Sequence, residues 1–508
     1  MKDLMSCSDP VVVTQSGAVS GFLEDGICKF HGVPYAAPPV GALRWRAPQP
    51  AEPWAGTRAA QAFGPAALQT IGAVYDLRVS QQSEDCLYLN VWTALLAPQR
   101  PRPVMFWVHG GGFLGGAGSE SGYDGTRLAD QGVVVVTFNY RLGAFGFLAH
   151  PEVGANFAVL DQVAALKWVA DNIDQFGGDP GNVTIFGESA GAAAVRALLA
   201  SPPAEGLFHK AILQSGGFEA PALAPAWNLA KAQTVAERLF DHLGSRNPDT
   251  LRTVPSAQLQ AASHELSGVI PVPGQVQTPA SLVWIPVVDG NVVIDDALSP
   301  SLANVPVLIG SLENEARYFI KPGPAYPREA LLGMAGAFLG PLADEGLAAL
   351  EREGLDTYGA LDRLFTAAVW TEPALQTARR FAARGRQVYC YHFARRSPGA
   401  IATEALVQHT AEIPYVFGHL DDDGHDEVDH AVSEQMQQAW ISFARDGVPQ
   451  SPAGSAWPAF DEMQQDCTRI VDGIDTRRFP MNDVMRVLDR LRPPPPTHSA
   501  SSPISLAI

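Results

Sequence analysis

The strongest constraint on the fold is a series of short, continuous apolar runs: Val104–Val108 (VMFWV), Val133–Phe138 (VVVVTF), Val183–Phe186 (VTIF), Ala211–Gln214 (AILQ), Val305–Gly310 (VPVLIG) and Val388–Tyr391 (VYCY). A strand with one solvated face alternates apolar and polar residues, whereas an unbroken run suits a strand covered on both faces. Helical patterns fall between the runs, as at Leu160–Ile173 and Leu375–Gly385. Strand and helix in alternation predict an α/β fold, with a mainly parallel central sheet and helices on both faces. No repeat or compositional break divides the 508 residues. They read as one domain over 9–492, followed by a Pro/Ser-rich tail, 493–508, expected to be disordered.

Composition narrows the function. With 46% hydrophobic and 17% charged residues, the chain can bury a large core. A formal net charge of −18 argues against a nucleic acid or an anionic membrane surface as partner. No basic segment leads into an apolar stretch at the N-terminus, and no apolar run nears the ~18 residues of a membrane span. The cysteines, at 7, 28, 86, 390 and 467, are odd in number, scattered and without metal-ligand spacing. These features predict a cytoplasmic protein in a reducing compartment, with no metal. The acidic stretch Asp421–His430 (DDDGHDEVDH) lacks calcium-loop spacing and reads as a solvated loop.

One turn carries the chemistry. The apolar run Val183–Phe186 stops at Gly187, and an Ala-rich helical pattern starts at Ala190, so Gly187-Glu188-Ser189-Ala190-Gly191 sets a lone hydroxyl at a strand-to-helix joint. Such a joint strains the backbone and lifts the serine clear of the sheet. Small residues two before and two after let strand end and helix start nearly touch. The helix N-terminus favours negative charge there. The alternative is a surface serine in an ordinary βα turn.

A nucleophilic serine needs donors for an oxyanion. Trp107–Gly116 (WVHGGGFLGG) follows a predicted strand, and its glycines let backbone N–H groups approach a substrate; the N–H of Ala190 adds another. Gly110, Gly112 and Gly115 also spell G-x-G-x-x-G, but the next stretch of chain, GAGSESGYDG, opens no helix. The dinucleotide reading therefore fails. For the base and its orienting acid, Glu313 and Glu315 follow the run Val305–Gly310. His209, His409, His419, His425 and His430 all lie beyond the serine. Spacing alone does not choose among them.

The chain resembles the type B carboxylesterases of the α/β-hydrolase fold, the group that includes carboxylesterases and cholinesterases. The resemblance runs from about Val11 to Pro458. It is carried by FHGVPYAAPPVGALRW (Phe30–Trp45), SEDCLYLNVW (Ser83–Trp92), HGGGF (His109–Phe113), NYRLGAFGFL (Asn139–Leu148), FGGDPGNVTIFGESAG (Phe176–Gly191), GLFHKAILQSG (Gly206–Gly216), HTAEIPYVFG (His409–Gly418) and WISFARDGVP (Trp440–Pro449). It implies Ser189 as nucleophile, His409 as base and Glu315 as acid, with oxyanion donors at Gly111, Gly112 and Ala190. Glu188 and Ser215 match polar positions beside the triad. No cofactor is implied, and the partner is a small-molecule ester.

Departures from the family pattern carry further expectations. In secreted relatives the cysteine of EDCLYLN pairs with one upstream. Here Phe63–Thr70 has none, so Cys86 is expected to be a buried free thiol. The region of the cholinesterases' choline-binding tryptophan holds Tyr75-Asp76, which makes cation–π capture of a quaternary ammonium doubtful. Ala280 and Leu282, where cholinesterases carry phenylalanines, suggest a roomier acyl side. Ala316 replaces the usual glycine after the acid. Phe113, Leu114, Phe218, Leu282, Trp284 and Phe319 are candidate pocket residues, with core packing the alternative for each. Two function classes remain: a serine hydrolase of carboxylic esters, or a catalytically silent binding module of the same fold. The presence of all three triad residues favours the hydrolase.

Overall fold

The computed structural model describes residues 9–69, 78, 81–218, 228–268, 282–294, 303–320, 326–421 and 423–492. The segment 493–508, and with it the expected tail, lies outside them.

The apolar runs form the centre of an eleven-stranded sheet. In chain order its strands are β1 (Phe22–Glu24), β2 (Ile27–Pro34), β3 (Tyr88–Thr93), β4 (Arg102–Val108), β5 (Val134–Phe138), β6 (Gly178–Glu188), β7 (Lys210–Gln214), β8 (Val307–Leu312), β9 (Val388–Phe393), β10 (Asp466–Ile470) and β11 (Ile474–Arg478). Their order across the sheet is β1-β2-β3-β5-β4-β6-β7-β8-β9-β10-β11. From β5 to β10 every neighbouring pair is parallel, while β1–β2, β2–β3, β3–β5 and β10–β11 are antiparallel. This is the expected mainly parallel sheet, with antiparallel margins that include a tight hairpin at each edge, β1–β2 and β10–β11.

Both faces of the sheet are covered. Along β4, Val104, Phe106 and Val108 point into one apolar cluster, and Met105 and Trp107 into the other. Helices α1 (Phe157–Asn172) and α2 (Ala190–Leu199) close the first cluster; the long α5 (Glu427–Asp446) closes the second through Val432, Met436 and Trp440. Between them in the chain, α3 (Thr357–Thr366) lies against the turn Glu315–Tyr318, and α4 (Glu372–Ala383) against β8 and β9. Among the described residues no helix is long and apolar enough to cross a membrane. Cys86, Cys390 and Cys467 are buried and form no disulfide, as expected for Cys86. Three acids of the Asp421–His430 stretch make protein contacts: Asp421 accepts from the Gly424 N–H, Asp426 caps α5, and Asp429 receives Arg395 and Tyr415.

Helix α1 also fixes the loop after β5. Asp161, fully buried, accepts from Arg141 Nε at 2.7 Å and Nη2 at 2.6 Å. The preceding residue, Tyr140, then stands against the glycine loop that follows β4. Removing one partner of a buried pair leaves the other charge stranded. Asp161→Ala should therefore lower stability by about 3–5 kcal/mol. Urea unfolding monitored by tryptophan fluorescence measures this.

Candidate active site

The segments that follow β4, β6, β7, β8 and β9 meet at the carboxyl ends of the strands, where sites gather in open α/β sheets. Strand β6 ends at Glu188 and α2 begins at Ala190, leaving Ser189 at the joint with φ +56° and ψ −122°. A side chain held there is strained, and it persists only where the surroundings over-determine it. Here the Ser189 N–H donates to Gln214 O at 2.9 Å, and its carbonyl accepts from the Ala193 N–H at 3.0 Å. A Cβ on Gly187 would sit 2.6 Å from the Gly191 carbonyl carbon and from Val108 O, and one on Gly191 would overlap Val108 O. The two glycines are there because strand, turn and helix touch.

The loop after β4 abuts this turn. A Cβ on Gly110 would lie 2.9 Å from Glu188 O and 3.4 Å from Ser189 Cβ. Gly111 (φ +97°) and Gly112 (φ +63°) take left-handed conformations that glycine adopts freely. The N–H groups of Gly111, Gly112 and Ala190 donate to no described residue. The loop is braced from behind by His109, whose ring stacks on Tyr140 at 4.3 Å and lies with Nδ1 2.9 Å from Gly110 O; the Tyr140 hydroxyl donates to His109 O at 2.8 Å. Burial pushes the His109 pKa down to about 4, so near neutral pH a neutral ring holds the loop.

The two acids after β8 go separate ways. Glu313 meets His392 Nε2 at 3.0 Å and Arg469 at 3.6 Å, and chiefly the His392 hydrogen bond draws its pKa to about 2. Glu315, fully buried, accepts from the Leu312 N–H at 2.8 Å and meets His409 Nδ1 at 2.6 Å. The loops bearing Glu315 and His409 are joined by the Asn314 N–H donating to Val407 O at 3.0 Å. The other histidines lie elsewhere. His209 accepts from the Val183 N–H, His419 meets Asp124 O, His425 meets Asp421, and His430 is exposed. His409 Nε2 stands 3.1 Å from Glu188 Oε1, out of line for a hydrogen bond, and has no hydrogen-bond partner among the described residues. The hydrogen bond from Ser189 to His409 is thus open in this arrangement; such bonds commonly tighten only when substrate is present.

A cluster of buried carboxyls surrounds the imidazole. Burial, reinforced by Glu315 and Glu120, pushes the Glu188 pKa well above the usual carboxylate range. Glu412, which sequence reasoning passed over, is fully buried and pushed up to about 8 by burial and by the charges of Glu188 and Glu315. Its Oε1 lies 3.5 Å from the hydroxyl of Ser215, whose own backbone is left-handed (φ +51°). The signal for Glu412 was available, since it is the fourth residue of HTAE. An acid just before a short helix, Ile413–Phe417, reads by default as a helix-start residue.

Among the pocket candidates, Leu282 reaches the glycine loop from outside it, its Cδ2 3.9 Å from where a Cβ on Gly112 would be. Phe319 stands 5.3 Å from the His409 ring. Phe113, Leu114, Phe218 and Trp284 are buried in the main apolar cluster. Phe113 packs on Phe147 at 4.7 Å, and the Trp284 indole N–H donates to Ser263 O at 2.9 Å. Ala280, Tyr75 and Asp76 lie outside the described residues. Tyr318 and Trp370 flank His409 and were not anticipated.

This arrangement has parallels in known proteins. The sequence matches the model of the carboxylesterase family over residues 8–329 and 344–485. The chain belongs to the carboxylesterase family. It is 37% identical to the fumonisin B1 esterase of Sphingopyxis macrogoltabida, over 89% of this chain and 85% of that protein. It is also 37% identical to the para-nitrobenzyl esterase of Bacillus subtilis, over 91% and 94%. A solved para-nitrobenzyl esterase structure superposes with a TM-score of 0.82 at 34% identity, covering 95% of this chain and 99% of that one. This carboxylesterase is a carboxylic ester hydrolase with the α/β-hydrolase fold.

The buried Glu412 of this carboxylesterase makes its stability pH-dependent. Between the ordinary 4.5 and about 8, the unfolded chain releases this proton while the folded chain keeps it. The stability present below 4.5 is therefore progressively lost as pH rises to about 8. Glu412→Gln removes the contribution. Urea titrations at pH 5 and pH 8 should show the variant gaining on the parent at the higher pH.

Proposed function

We propose that this enzyme hydrolyses small-molecule carboxylic esters through a Ser189–His409–Glu315 triad and an acyl-enzyme intermediate. The observation that carries the reading is the Glu315–His409 contact of 2.6 Å, buried beside the strained turn that presents Ser189. In the proposed cycle, His409 Nε2 takes the Ser189 proton as Oγ attacks the ester carbonyl. Glu315, accepting from Nδ1–H, fixes the tautomer and stabilises the imidazolium. The N–H groups of Gly111, Gly112 and Ala190 stabilise the tetrahedral oxyanion; losing one such donor typically costs about 3 kcal/mol of transition-state stabilisation. The imidazolium gives its proton to the departing alkoxide. Water then repeats the sequence at the acyl carbon, releasing the acid and restoring Ser189. Buried thiols at Cys86, Cys390 and Cys467 support a reducing, cytoplasmic setting.

Hydrolysis of p-nitrophenyl butyrate by single-site variants tests the assignment. Ser189→Ala and His409→Ala should each lower kcat by at least ~10³-fold, and Glu315→Gln should also be severely impaired. Glu313→Gln and His430→Ala should stay close to the parent. A serine variant with undiminished turnover removes the proposal. Leu282 on the acyl side supports the expectation that butyrate and hexanoate esters are turned over no worse than acetate, which a chain-length series measures.

A further inference from the structure

Helix α3 does not run straight into α4. Between them Ala367–Thr371 form a π-helical turn in which the Glu372 N–H donates to Ala367 O, five residues back. Pro373 explains the widening. It has no N–H, and in a regular helix its ring would strike the carbonyl of residue 369. One extra residue in the turn removes the clash, and such turns occur frequently at functional sites. All five residues of this turn are buried, among them Trp370.

Trp370 touches both sides of the site. Its indole N–H donates to Ser215 O at 3.1 Å. Ser215 itself is held left-handed, its N–H donating to Gly310 O at 2.9 Å. The next residue, Gly216, is so close to Ser189 that a Cβ there would overlap the Ser189 carbonyl oxygen. On its other side the Trp370 ring lies 5.6 Å from the His409 ring and stacks on Phe319 at 5.4 Å, while Phe365 supports it from behind at 5.2 Å.

His409 needs such a wall. Its ring is tied at Nδ1 by Glu315, but Nε2 has no hydrogen bond to a described residue. Swinging about that single tie is opposed by the faces around it: Tyr318 at 5.8 Å, Phe319 at 5.3 Å and Trp370. Tyr318 and Phe319 sit in the same short turn as Glu315, so they move with the acid. Trp370 is anchored instead to the segment against Ser189. We propose that Trp370 is a positioning residue: it fixes the distance and angle between the base ring and the nucleophile turn, and the π-helical turn exists to deliver it there.

The proposal rests on His409 being the base, so Trp370→Leu, Trp370→Phe and His409→Ala are measured together, with kcat expressed per mole of purified protein whose folding is checked by circular dichroism. A misplacement of about 1 Å can cost of order 10²-fold in rate. Trp370→Leu should therefore lose about 10- to 100-fold in kcat with KM within about threefold of the parent. Trp370→Phe retains a ring against His409 and should recover most of that loss. A Trp370→Leu enzyme with kcat within threefold of the parent overturns the proposal, as does a loss carried by KM, or a Phe variant as poor as the Leu variant. If Trp370→Leu fails to fold, the Phe variant decides: kcat reduced more than tenfold overturns the proposal, and a smaller reduction with unchanged KM supports it. An active His409→Ala enzyme refutes the base assignment itself, a result distinct from any of these.

Discussion

The close approach of Val108, Gly187 and Gly191 is the constraint from which the site is built. Because these backbones nearly touch, the chain must turn within one residue, and that residue cannot relax out of φ +56°. The strain is held by two backbone hydrogen bonds and by the packed sheet beneath, not by the serine itself. The same contact brings the glycine loop after β4 against the turn, so the proposed nucleophile and the proposed oxyanion donors are positioned by one steric fact. Strain of this kind costs of order 1–3 kcal/mol, small beside the burial that the two-sided core supplies.

Electrostatics shape the other half. Glu188, Glu315 and Glu412 are buried near one imidazole, and like charges so placed cannot all ionise cheaply. Glu315 lies within 2.6 Å of His409 Nδ1 and accepts a backbone N–H. In the proposed cycle the acid at Nδ1 stabilises the forming imidazolium, and the neighbouring Glu188 and Glu412 are held towards the neutral form by burial.

How much of this could be read from the sequence depended on whether one segment held the whole signal. The central strands were legible because Val104–Val108 or Val183–Phe186 needs cover on both faces whatever else happens. The antiparallel margins were not. Ile27–Pro34 includes Lys29, His31 and Pro34; Lys29 is buried against Glu24 and Asp124, and His31 against Phe63, Phe22 and Trp92. The turn at Ser189 was visible from its glycines, but choosing Glu315 over Glu313 and His409 over its rivals needed the family resemblance, since their convergence is a property of chain topology. Glu412 and Trp370 left weaker traces. An acid before a short helix and an aromatic in a helical stretch have ordinary explanations, and the π-helical turn has no periodicity of its own.

The hydrogen bond from Asn314 to Val407 joins the loops of the acid and the base. Ser189, Ala190 and the glycine loop are likewise locked to one another through β4 and β6. The proposed triad is thus divided between two braced segments, with Trp370 spanning them from Ser215 to the imidazole. The contact of Glu315 with His409 is fixed within one segment and the turn with its glycine loop within the other, so whatever alters the join between them leaves both internal arrangements intact.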